Sequence, residues 1–133
     1  MGQLLAKSSM HEGKFVSWLP SYGPEIRGGT ANCHVVVSRE RIGSPYVSHP
    51  TVLVAMNQPS LEKFAALVEP GGVVIYDSSF VKSVILPAHV RAVPIPFSEI
   101  ANDLGNAKVA NTVAAGAIIG LTGVTNEESF RAL

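Results

Sequence analysis

Apolar positions along this chain fall into short blocks of two kinds, separated by prolines, glycines and small polar residues. Met1 to Glu12 contains no proline and no β-branched run, and Leu4, Leu5, Ala6 and Lys7 favour a helix that Gly13 stops. Lys14 to Leu19 alternates around Phe15 and Trp18 and predicts a strand; Pro20 to Thr30, with two prolines and three glycines, predicts a loop. Ala31 to Ser38 predicts a second strand, with Ala31, Cys33, Val35 and Val37 on one face and Asn32, His34, Val36 and Ser38 on the other. Arg39 to Pro50 is again loop-like. Thr51 to Ala55 and Val73 to Tyr76 are continuous β-branched runs, the pattern of strands covered on both faces. Between them Pro59 suits a first helical residue, with Asn57 or Gln58 as cap, and the helix reaches about Val68 before Pro70-Gly71.

Ser83 to Leu86 and Arg91 to Ile95 are further strand candidates beside prolines, which points to sheet edges. Ser98 is placed to cap a short helix from Glu99 to Leu104, and Asn106 to cap a longer one. In that longer segment Val109, Ala110, Val113, Ala114, Ala117, Ile118 and Leu121 recur at helical spacing, while Gly116 and Gly120 lie four apart on a neighbouring face. Glycine in a helix costs about 1 kcal/mol relative to alanine, so close packing is expected there. The stretch from Val109 to Val124 is interrupted by Asn111, Thr112 and Thr122 and falls short of the roughly 20 apolar residues that span a bilayer. Thr125 with Glu128 forms a capping box for a final helix.

Helices alternating with buried strands predict a three-layer α/β/α domain with a largely parallel or mixed sheet, a single domain over residues 1–133. A helix with no strand before it and an unfinished last helix suggest truncation at both ends.

Composition narrows the functions. Of 133 residues, 47% are apolar and 15% charged, the reverse of a disordered chain. Ten basic and ten acidic side chains cancel, so no excess positive field exists for nucleic acid or an anionic membrane. Cys33 is the only cysteine; it cannot form an internal disulfide or furnish the thiolates of a structural zinc site or an iron–sulfur cluster. A reducing cytoplasm fits this usage, and no signal peptide is visible.

Ligands of open α/β sheets collect at the carboxyl ends of parallel strands. Two such ends are polar here, Met56-Asn57-Gln58 and Asp77-Ser78-Ser79, although turns and caps use the same residues. The segment from Ser21 to Thr30 (SYGPEIRGGT) is the most unusual. Its paired glycines let backbone N–H groups converge, Arg27 adds a fork of donors suited to phosphate or carboxylate, and Tyr22 offers a flat face with a hydroxyl. Such a loop can cradle an anion, dock a partner, or be a tight turn in which Glu25 and Arg27 form a solvated pair. Familiar catalytic sets are missing: Cys33 and His34 point to opposite faces of one strand, His11, His49 and His89 are isolated, and there is no nucleophile elbow or P-loop.

The order SWLPSYGPEIRGGTANCHVVVS, IGSPYV, VLVAMNQPSLEKF, GGVVIYDSS and VPIPFSEIANDLGNAKVANTVAAGAIIGLTG resembles the gamma subunit of 2-oxoacid:ferredoxin oxidoreductases over nearly the whole chain. The Thr30-Ala31-Asn32-Cys33 continuation is most similar to the 2-oxoglutarate or branched-chain 2-oxoacid types, with 2-oxoglutarate ranked first. The resemblance implies a complex that oxidatively decarboxylates a 2-oxoacid, transfers the acyl group to coenzyme A and reduces ferredoxin. Thiamine diphosphate with Mg²⁺ and the iron–sulfur clusters would then belong to partner subunits, with no cofactor held by this chain alone. The gamma portion would pack on the thiamine-binding subunits and help enclose coenzyme A. Tyr22, Gly23, Pro24, Glu25, Arg27, Gly28 and Gly29 match the family's loop, and Asn57, Gln58 and Asn111 match other polar positions of its pattern. One departure stands out: the family's opening strand and its glycine-rich turn have no counterpart before Met1-Gly2-Gln3. The residues alone leave open an independent nucleotide or acyl-CoA module, or a purely structural interaction protein.

Overall fold

A computed structural model describes residues 2–21, 32–44, 46–106 and 109–123. They form α1 (Gly2–His11), β1 (Phe15–Ser21), β2 (Asn32–Ser38), β3 (Val52–Ala55), α2 (Gln58–Phe64) with a 3₁₀ turn (Ala65–Leu67), β4 (Val73–Asp77), β5 (Arg91–Ile95), α3 (Phe97–Asp103) and α4 (Ala110–Thr122). The α/β class expected from the alternation of blocks is what the chain adopts. Its contacts divide into two compact units, one holding α1, β1, β2 and α4 from Asn111 onward, the other β3 to β5 with α2 and α3.

In the first unit β1 and β2 pair antiparallel, Phe15 opposite Ser38 through Ser21 opposite Asn32. The strand runs two residues past the predicted end at Leu19, through Pro20; a two-stranded ribbon tolerates the missing N–H because one side of each strand needs no ladder bond. Helix α1 lies on the Cys33 and Val35 face of this ribbon, and it starts so close that a Cβ on Gly2 would overlap the Cys33 sulfur. The helix ends as Gly13 predicts. Gly13 takes φ +82°, and its N–H reaches the Met10 carbonyl (2.9 Å) while the Lys14 N–H reaches that of Ser9 (3.3 Å). This is a Schellman closure, which satisfies carbonyls the helix would otherwise leave open. On the ribbon's other face, the Val47 N–H donates to Nδ1 of His34 (2.8 Å), and Tyr46 meets the imidazole edge-on at 6.4 Å between centroids.

Helix α4 covers the predicted segment but turns a narrower face inward. Ala114, Ala115 and Ile118 are its buried residues, whereas Leu121 is 44% exposed. The expected close approach at the glycines is not found: a Cβ on Gly116 or Gly120 meets nothing within 4 Å among the described residues. Burial on this helix falls to the alanine methyls and the Ile118 side chain, and Gly116 and Gly120 are exposed. No described helix is long and apolar enough to cross a membrane. The capping box at Thr125 and Glu128 lies outside the described residues.

The second unit is a three-stranded parallel sheet in the order β3-β4-β5, with Val52 opposite Val73 and Val73 opposite Arg91. Its core contains Ala55, Leu61, Ala65, Val68, Val74 and Val81, with Leu53, Tyr76, Leu86 and Val90 packed against them. The apolar run at β4 marks a covered central strand, as its composition predicts, whereas β3 lies at the sheet edge and buries only Ala55, with Val52, Leu53 and Val54 half-buried. Gly72 sets the entry to β4: a Cβ there would sit 2.8 Å from the Glu69 carbonyl oxygen and 2.9 Å from that of Thr51. Ser83 to Leu86 is not a strand. The Ser83 N–H and carbonyl are bound instead by the amide of Gln58, so a side chain takes the groups that a ladder would have used.

Candidate functional site

Parallel pairing puts the carboxyl ends of β3, β4 and β5 on one edge of the sheet, and the polar residues following each strand gather there. After β3, Asn57 is in extended conformation and its Oδ1 accepts the Ser60 N–H at 2.9 Å, capping α2; Pro59 occupies the first turn. Gln58, the next residue, points to a different neighbour. Its Oε1 accepts the N–H groups of Lys82 (3.0 Å) and Ser83 (3.2 Å), and its Nε2 donates to the Ser83 carbonyl (2.8 Å) and to Glu62 Oε1 (3.3 Å). Both lone pairs and one proton of the amide thus hold the segment after β4 against α2, and the other proton bonds Glu62 one turn along the same helix. Beside this clamp lies a groove of about 370 Å³ lined by Leu61, Glu62, Ala65, Ile85, Leu86 and Pro87 among others.

After β4, Asp77 is completely buried. Its Oδ1 accepts the Ser79 N–H (3.0 Å) and its Oδ2 accepts the Ser98 hydroxyl (2.7 Å). This corrects the expected role of Ser98. Helix α3 begins at Phe97, two residues earlier than the cap reading requires, and its cap position is Pro96, which has no side-chain acceptor to offer. The orphan N–H of Glu99 is satisfied from outside by Ser79 Oγ (3.3 Å), so β4's turn caps the helix that follows β5. The Ser78 N–H adds a bond to the Ile95 carbonyl (3.1 Å). These links span about twenty residues of chain and have no local signature; an aspartate ending a covered strand is the one clue that a donor must lie nearby.

The structure therefore assigns Asn57 and Gln58 to the carboxyl edge, where they act on α2 and on the segment from Lys82 to Ser83 respectively. Asn111 belongs to the other unit, exposed in the first turn of α4. Tyr22, Gly23, Pro24, Glu25, Arg27, Gly28 and Gly29 lie outside the described residues. The polar atoms of this edge that make hydrogen bonds are directed to backbone and to each other, the Ser98 hydroxyl on the Asp77 carboxylate among them. Among the described residues no three His, Cys, Asp or Glu side chains come together, and a single cysteine in the sequence does not fit an iron–sulfur cluster.

A unit of parallel strands with a polar carboxyl edge, and a second unit with a helix-covered β-ribbon, define an α/β protein. The profile of the pyruvate ferredoxin/flavodoxin oxidoreductase family matches residues 1–133, and the chain belongs to that family. Ketoisovalerate oxidoreductase subunit VorA of Methanothermobacter thermautotrophicus is 51% identical over 133 residues, covering 98% of this chain and 27% of the relative. The chain thus spans about a quarter of that relative's length. 2-Oxoglutarate synthase subunit KorC of Methanocaldococcus jannaschii is 35% identical over 132 residues, 97% of this chain and 71% of the relative. The crystal structure of a keto/oxoacid ferredoxin oxidoreductase gamma subunit from Geobacter sulfurreducens superimposes with a TM-score of 0.81 at 31% identity, over 97% of this chain and 72% of that one.

Proposed function

We propose that this chain is the gamma portion of a 2-oxoacid:ferredoxin oxidoreductase complex, in which it lends shape to chemistry carried by its partners. The observation that supports this most is the match along the entire chain to the family, together with the YGPE-x-RGG loop. In this reading the complex decarboxylates a 2-oxoacid, transfers the acyl group to coenzyme A and passes the electrons to ferredoxin. Thiamine diphosphate, Mg²⁺ and the clusters are held by the partner subunits, since one cysteine and a sheet edge of mutually bonded polar groups suit none of them. Tyr22, Gly23, Pro24, Glu25, Arg27, Gly28 and Gly29 form the surface toward coenzyme A or the thiamine-binding subunit, with Arg27 supplying donors for phosphate or carboxylate. Asn57 and Gln58 fix the edge by their bonds to Ser60 and to Lys82 and Ser83. Asn111, exposed in the first turn of α4 on the other unit, is a contact for substrate or for a partner subunit. The neutral charge and the lone cysteine suit a cytoplasmic complex.

The acid we propose is a branched-chain 2-oxoacid, because identity to VorA is 51% and to KorC of Methanocaldococcus jannaschii 35%. The second reading, 2-oxoglutarate, rests on the KorC relatives, while Thr30-Ala31-Asn32-Cys33 resembles both types. Coenzyme A-dependent dye reduction by the complex assembled with its native partners separates the two. A higher kcat/KM with 3-methyl-2-oxobutanoate supports the first; a higher value with 2-oxoglutarate replaces it with the second. An independent nucleotide or acyl-CoA module would bind coenzyme A without partners, which calorimetry on this chain measures.

A further inference from the structure

We draw no further inference here: the strongest candidate, the apolar groove between α2 and the segment from Ser83 to Pro87, with Ile85 87% exposed at its rim, is an open face for which nothing in the structure shows what covers it.

Discussion

Replacing Ser98 by alanine tests whether the carboxyl edge is held together by the buried carboxylate. Asp77 is 0% exposed in the native chain, and removing the 2.7 Å bond takes away the side-chain donor that Oδ2 has there. A hydrogen bond to a charged group is worth about 1.5–3 kcal/mol, and leaving such a group buried without its donor costs the full desolvation penalty. Alanine returns a few tenths of a kcal/mol through its better helix propensity, roughly 0.5 at most. The net expectation is a loss of about 2 kcal/mol in the β3–β5 unit, on the order of a 30-fold rise in the open population. Native-state hydrogen exchange reads this directly at Phe80 and Val81, whose N–H groups donate to the Asp77 carbonyl at 3.1 and 2.9 Å. Their exchange should accelerate by about that factor. Ser98→Thr, which keeps the hydroxyl, should change it little. Acceleration of less than about threefold in Ser98→Ala, with Asp77 unchanged, would show that the link is not worth a charged hydrogen bond and refute the reasoning.

Two glycines should respond in opposite directions. Gly72→Ala pushes a methyl against the Glu69 and Thr51 carbonyls at 2.8 and 2.9 Å, and should cost about 1–3 kcal/mol by urea unfolding of the chain. Gly116→Ala fills space that is open among the described residues and should stabilise α4 by about 0.5–1 kcal/mol; destabilisation of this chain would mean the glycine face is already packed.

What could be read from the residues was mostly local. Gly13 ending α1, Asn57 capping α2 and the β-branched runs of β3 and β4 each depend on a residue's own backbone preference or on its immediate neighbours. Ser98 shows where that reasoning stops. As a serine ahead of a helix-forming stretch it reads as a cap, but the partner that decides its role is 21 residues away in sequence. Ser83 to Leu86 fails for a similar reason, since Gln58 reaches across from position 58 to take the backbone groups a strand would pair. On α4 the stripe keeps its helical period but the buried face is rotated toward Ala115, because alanine at 115 buries as readily as at 114 and small side chains do not define one face sharply. Of the candidate site, Asn57 and Gln58 were recognisable as strand-end residues, whereas their bonding partners were not. Neither periodicity nor capping rules give a meaning to the segment from Tyr22 to Gly29, which is legible only as a resemblance to a family.

The proposed gamma role makes this chain indispensable to chemistry carried by its partners. The direct measurement is 2-oxoacid- and coenzyme A-dependent dye reduction by the purified thiamine-binding and iron–sulfur subunits, with and without this chain added at equal stoichiometry. Turnover is expected with all partners present, and neither the partners without this chain nor this chain alone should reach it. Full turnover by the partners in its absence would contradict the proposed role.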